Sequence, residues 1–173
     1  MTYSSIEPTV CCRNLEGQPN GKSPFQKMII EGFYDGPTSG LVQCEVCSAS
    51  YRFLMVDWDD RQDVRVLSLA PLPVQSFDRV VSIISEVEPV PWPMLYPWRI
   101  PSDDLREFVE VRIKEIVDKA GPPTIVAACS RYGDTILAAK GLDENDLKDV
   151  QDWFYPEGPK GERDWFSFLG LDR

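Results

Sequence analysis

The stretch GLVQCEVCSASYRFLMVD, residues 40–57, contains the clearest structural pattern of this chain. Two strand-like runs, Gly40 to Cys44 and Ser50 to Asp57, flank the tetrapeptide Cys44-Glu45-Val46-Cys47. Two such runs joined by so short a link predict an antiparallel pair of strands. Thiols three positions apart at the tip of this pair could bind one metal ion or close a small disulfide loop.

Strand-like runs on either side extend the pair to a four-strand antiparallel meander. Residues 28–34 precede it across the turn-forming segment 35–40, and residues 64–69 follow it across the polar tip 57–63. Two later runs, on either side of a turn that contains Gly133, predict a further hairpin. We therefore expect an α+β domain with an antiparallel sheet of about six strands.

Two or three helices are expected to pack mainly on one face of this sheet. The clearest is 102–120, because Ser102 can cap its start and apolar residues recur along one side. Residues 77–84 have helical spacing of apolar side chains, although their β-branched content leaves a strand possible. A last helix is predicted to begin at Asp143, where the neighbouring leucines fit a hydrophobic staple.

The domain organisation is expected to be simple. Residues 1–24 mix Ser, Pro, Asn and Gly with few large apolar side chains, which predicts a flexible N-terminal arm. Residues 25–173 are then a single domain with an aromatic C-terminal tail. Trp165 and Phe166 belong to this tail, which could either dock on the domain's own core or join copies of the chain into a homo-oligomer.

The charge and composition exclude several classes of function. A formal net charge of −10 opposes binding to a phosphate backbone, so we expect no nucleic acid partner and instead another protein, for which a basic one is the natural choice. The chain contains no histidine, which excludes the commonest general base and every imidazole metal ligand. No assembled enzyme site is visible, and a non-enzymatic protein is the expectation.

The cellular compartment follows from the same composition. No window approaches the roughly 20 apolar residues of a membrane-spanning helix, and residues 1–10 lack the features of a signal peptide. Five cysteines, an odd number, fit a reducing compartment better than a disulfide framework. We therefore expect a cytoplasmic protein without a membrane partner.

Cys44 and Cys47 are the candidate metal ligands, with zinc as the candidate ion. They form only half of a four-ligand site, and closure would need Cys129 together with Cys11 or Cys12. Because adjacent cysteines seldom both ligate one ion, we expect Cys44 and Cys47 to be ordinary buried thiols without a cofactor. A redox role is less favoured still, since no helix follows the pair to stabilise a thiolate.

Residues 57–63 form the densest acidic cluster and are a second candidate for a cation. Their spacing does not match that of a calcium-binding EF-hand loop, so a solvated hairpin tip is the simpler interpretation. The sole catalytic chemistry the sequence suggests is a carboxylate pair in which Asp35 or Asp134 joins Asp57.

Residues 89–101 combine five prolines with Trp92, Tyr96 and Trp98. Proline forbids a regular helix, so the segment is predicted to be an extended loop that lies either on its own core or against a partner. These three aromatic residues are the candidate partner-binding residues.

The sequence therefore predicts a non-enzymatic cytoplasmic protein-binding domain, such as an inhibitory or immunity-like partner. The alternative is a small metalloprotein or metal-dependent enzyme that uses Cys44 and Cys47 or the acidic hairpin 57–63.

Overall fold

The computed structural model describes residues 11–14, 25, 27–33, 37–59, 61–87, 94–95, 100–130, 136–146 and 164–171. Within these ranges seven strands form one sheet: β1 Lys27–Phe33, β2 Pro37–Gln43, β3 Ser50–Asp59, β4 Val64–Pro71, β5 Met94–Leu95, β6 Ile125–Ser130 and β7 Ile136–Gly141. Three helices have defined bounds in the same ranges: α1 Ser76–Ser85, α2 Asp103–Val117 and α3 Trp165–Phe168.

The order of strands in the sheet is β5-β1-β2-β3-β4-β6-β7. Six of them pair antiparallel, and the two-residue strand β5 lies parallel to β1 at the edge. The predicted meander is β1 to β4, and the predicted later hairpin, β6 and β7, pairs with β4. The α+β class and the antiparallel sheet of about six strands are thus confirmed.

The helices form at the positions that capping residues and apolar periodicity predicted. The Ser102 hydroxyl accepts a hydrogen bond from the Leu105 N–H at 3.4 Å and caps α2. Residues 77–84 lie within α1, so the strand alternative for them is wrong. Asp143 and Asp146 exchange two hydrogen bonds of 2.8 and 2.9 Å between side chain and backbone, and residues 144–146 are helical. This last helix therefore begins as predicted, while its continuation lies outside the described residues.

Side chains alternate between the two faces of the sheet, which gives each face its own core. On one face, Ile29 and Leu41 pack with residues of α1 and α2 such as Phe77 and Ile113. Their neighbours in the strands point to the other face, where a second cluster forms: Met28, Ile30, Val42, Phe53 and Leu69 pack with Phe25 and Cys12. Because residues 147–163 lie outside the described part, the expectation that all helices use mainly one face stays a prediction.

The two ends of the chain that were assigned to an arm and a tail both contribute to the core. Cys12 begins a 3₁₀ turn, Cys12–Asn14, and is only 3% exposed. The remainder of the predicted arm 1–24 lies outside the described residues. Trp165 and Phe166 of α3 are buried against β4 and β6, so this part of the tail docks on its own domain. None of the described helices has the length and apolar character needed to cross a membrane.

Strands β1 and β2 approach each other closely at Gly40. A Cβ at this position would lie 1.9 Å from the Ile29 carbonyl oxygen, and the backbone φ is +156°. We expect Gly40→Ala to lower the free energy of unfolding by about 2–4 kcal/mol, because the strand pair must separate to admit the methyl group. Urea unfolding monitored by tryptophan fluorescence measures this change.

Gly121→Ala is the matched control. Its new Cβ would meet no atom closer than 3.7 Å, which is ordinary van der Waals contact. We expect its free energy of unfolding to stay within about 0.5 kcal/mol of the native value. Equal destabilisation of the two variants would contradict a specific close approach at Gly40.

Candidate metal centre

A tight turn between β2 and β3 brings Cys44 and Cys47 to the same place. The Cys44 N–H donates to the Ala49 carbonyl oxygen and the Ser48 N–H donates to the Cys44 carbonyl oxygen, both at 2.9 Å. Ser48 has a φ of 61°, a left-handed conformation that a residue with a side chain seldom adopts. The chain accepts this conformation directly after Cys47, which lets the turn reverse within a few residues.

A second pair of thiols reaches this turn from the 3₁₀ turn near the N-terminus. The Cys12 N–H donates to the Cys44 sulfur at 3.4 Å, and the Cys12 and Cys47 sulfurs are also 3.4 Å apart. Cys12 Sγ further lies 3.5 Å from the Tyr51 hydroxyl oxygen on β3. These contacts join segments that are more than 30 residues apart in the chain.

The four sulfur atoms of Cys11, Cys12, Cys44 and Cys47 all lie within 4.8 Å of one another. In a tetrahedral zinc site with Zn–S bonds of about 2.3 Å, neighbouring sulfurs are about 3.8 Å apart. The observed cluster is therefore close to the size that a zinc ion requires. Cys12 and Cys44 are buried and the other two are half-buried, so the cluster lies where the core meets the surface.

The donor set fits a soft, thiophilic ion. Four cysteine sulfurs without a carboxylate among them are typical of structural zinc, whereas magnesium and calcium require oxygen ligands. The Cys12 N–H already points at the Cys44 sulfur, and such backbone donors stabilise a ligating thiolate. In the described part of the chain, this is the one group of cysteine and acidic side chains close enough to hold a metal ion.

The thiols of the cluster differ in pKa because their surroundings differ. Burial raises the pKa of Cys47, but hydrogen bonds from the Ala49 N–H and from the neighbouring thiols outweigh it and lower this pKa to about 7. Burial raises the pKa of Cys12 well above its ordinary value, although the Tyr51 hydroxyl opposes the change. The Arg13 N–H lowers the pKa of Cys11, yet burial and the contacts with Cys47 and Cys44 raise it overall.

The structure places the remaining candidate site residues elsewhere. Cys129 is buried in β6, within the core cluster that contains Cys12, but it does not belong to the four-sulfur group. In the acidic hairpin, the Asp59 carboxylate accepts hydrogen bonds from the backbone N–H groups of Arg61 and Gln62 at 2.9 and 3.2 Å. The Asp57 carboxylate likewise accepts from the Trp58 N–H. These two carboxylates therefore satisfy the backbone of their own turn.

Several candidates fall outside the described residues. Trp92, Tyr96 and Trp98, the candidate partner-binding residues, are among them. So are Asp35 and Asp134, which the sequence suggested as catalytic partners of Asp57. Their assignments stay predictions.

The sequence suggested Cys11 or Cys12 as a metal ligand, but not both. The number and spacing of the cysteines could have predicted both ligands, because the chain contains two close pairs, 11–12 and 44–47, and one further cysteine. Two pairs are what a four-sulfur site needs.

Comparisons of the chain with protein-family models, with curated proteins and with solved structures found no match.

The acidity of the thiols predicts an order of alkylation in the reduced, metal-free protein. Iodoacetamide reacts with the thiolate, which is the form present above the pKa. We expect Cys47 to react first, with a rate that rises with pH and reaches half of its maximum near the pKa of about 7. Cys12, Cys44 and Cys129 are each at most 3% exposed and should react last.

Peptide mapping by mass spectrometry after timed labelling measures this order. Labelling of denatured protein is the control, since the five cysteines should then react alike. Preferential labelling of Cys12 in the folded protein would contradict the arrangement described for the cluster.

Proposed function

We propose that this protein is a small metalloprotein in which Cys11, Cys12, Cys44 and Cys47 bind one zinc ion. The observation that carries the proposal is the convergence of four sulfur atoms within 4.8 Å from two distant segments of the chain. Unrelated buried cysteines have no reason to gather in this way, since each could fill its place in the core as a small apolar side chain.

The proposed role of the ion is structural. Four protein thiolates complete a tetrahedral zinc site, so no position stays open for water or substrate. The ion would fix the 3₁₀ turn at Cys12–Asn14 against the turn between β2 and β3. No disulfide bond joins any of the five cysteines, which suits the cytoplasm, and we propose this as the compartment of the protein.

Zinc binding by this site can be tested on protein purified without chelator. Elemental analysis should find one zinc ion per chain, and substitution of Ser for any one of the four cysteines should lower the zinc content. Removal of zinc by a chelator should lower the melting temperature, because structural zinc contributes about 10–16 kcal/mol in small zinc modules.

Cys129→Ser is the matched control variant. Cys129 is as deeply buried as Cys12, at 2% and 3% exposure, so the substitution perturbs the core to a similar degree without removing a proposed ligand. Its zinc content should equal that of the native protein. Zinc absent from the native protein, or retained fully when Cys44 and Cys47 are both replaced, would refute the proposal.

A second proposed function is non-enzymatic binding of another protein, and a specific observation favours it. Leu105, Phe108 and Val111 are 45%, 49% and 54% exposed on α2, although apolar side chains of this size are normally buried. The net charge of −10 favours a basic partner, since opposite charge accelerates and orients association. A structural zinc ion and a binding surface are compatible in one protein.

This second function predicts a partner that depends on charge. With the native protein as bait, we expect a basic protein to be retained from a lysate of the source cells and released when the ionic strength is raised. An unrelated acidic bait of similar size and net charge is the control, because it captures basic proteins non-specifically. Identical capture by both baits would contradict the proposed function.

A further inference from the structure

Helix α2 has one buried side and a second side with exposed apolar residues. Val109, Ile113, Ile116 and Val117 face the core. Leu105, Phe108 and Val111 follow one another at intervals of three residues, so they form a continuous row along the exposed surface of the helix. Among the described residues with large exposed apolar side chains, half belong to this row. The concentration on one helix indicates a contact surface.

The cations of α2 are already neutralised within the chain. Arg106 pairs with Asp103, Lys114 pairs with Asp118 at 2.6 Å, and Arg112 lies 3.7 Å from Glu86. The Arg112 guanidinium also lies over the Phe108 ring, at 4.7 Å from its centre. Each of these three cations therefore has an acidic partner within the chain.

The acidic residues next to the row differ from these cations because they form no ion pair among the described residues. Asp104 is one helical turn from Phe108, while Glu107 and Glu115 are each one turn from Val111. All three are exposed, and none takes part in the ion pairs found among the described residues. Asp104 and Glu107 therefore border the apolar row without an ion-pair partner among the described residues. Glu115 also forms no ion pair within that part of the chain, but it lines a surface pocket together with Arg79, Arg112 and Lys119.

We propose that this face of α2, formed by Leu105, Phe108 and Val111 with Asp104, Glu107 and Glu115, binds a basic amphipathic helix of another protein. The inference rests on the proposed protein-binding function and names its surface and partner class. A partner helix with apolar residues at intervals of three and four would cover the row, and lysines or arginines beside them would pair with the carboxylates. A second copy of this chain fits poorly, because two such faces would oppose carboxylate to carboxylate.

A synthetic amphipathic helix of leucine and lysine is the probe for this surface. We expect it to bind with changes in backbone amide resonances centred on residues 104–115, and to bind less tightly as salt is added. Phe108→Ser should weaken binding by about thirtyfold, the loss typical of an interface anchor. Val74→Ser is the control, because Val74 is an apolar side chain elsewhere that is 89% exposed.

Paired charge variants separate local attraction from the overall charge. Glu107→Gln with Glu115→Gln removes two negative charges beside the row, and Asp63→Asn with Glu144→Gln removes two exposed ones elsewhere. We expect the first pair to weaken binding and reduce its salt dependence more than the second pair does. Melting curves of all variants establish whether they are folded. If Phe108→Ser does not fold, the charge variants still test the proposal.

Four outcomes would overturn the proposal. They are equal binding of a scrambled peptide of the same composition, resonance changes away from α2, unchanged affinity of Phe108→Ser, and dimerisation of the native protein that Phe108→Ser abolishes. The capture experiment from the lysate tests protein binding in general, separately from the α2 surface. A natural partner that is still captured by the Phe108→Ser bait would leave protein binding intact and refute only the α2 surface.

Discussion

The structure depends on covering both faces of the central strands. In β2, Leu41 points to the helices, while its neighbour Val42 points to the opposite face, and both are almost fully buried. Helices α1 and α2 supply the first cover. In the described part of the chain, the second cover comes from Phe25 and Cys12, with Phe25 in edge-to-face contact with the Tyr51 ring at 6.2 Å. Cys12 therefore contributes to the core and to the sulfur cluster together.

This double role gives the proposed zinc ion a physical purpose. The contact between Cys12 and the turn at Cys44 closes a long loop of chain, and closing such a loop costs conformational entropy. Burial also holds the Cys12 thiol in its neutral form, as its raised pKa indicates. The proposed zinc ion would supply the positive charge that allows buried thiolates, and its bonds would act where the fold needs a long-range closure. Without metal, the buried Cys12 thiol can remain neutral and pack as an apolar group.

The parts of the fold that sequence predicted correctly depend on local interactions. Turn residues and strand-like runs determine β1 to β4, and the Ser102 cap with one apolar side determines α2. The parts it missed depend on contacts between distant segments. Met94 and Leu95 pair with β1 although they lie in a proline-rich segment that predicted an extended loop, because β1 offers a free edge that no local pattern reveals. The same holds for Cys11 and Cys12. Their sulfur atoms both lie within 4.8 Å of those of Cys44 and Cys47, which are more than 30 residues further along the chain, whereas the expectation that adjacent cysteines seldom both ligate one ion stays a prediction.

The two proposed functional features lie on opposite faces of the same strands. The sulfur cluster belongs to the core that contains Met28 and Val42, and α2 belongs to the core that contains Ile29 and Leu41. Each strand therefore presents alternate residues to the two sites, and a metal ion can stabilise the sheet on which α2 rests without touching the binding surface. In the proposed complex, binding energy would come from exposed side chains of α2, while stability would come from buried groups that make no contact with a partner. This separation would let the proposed binding surface change while the core beneath it stays unchanged.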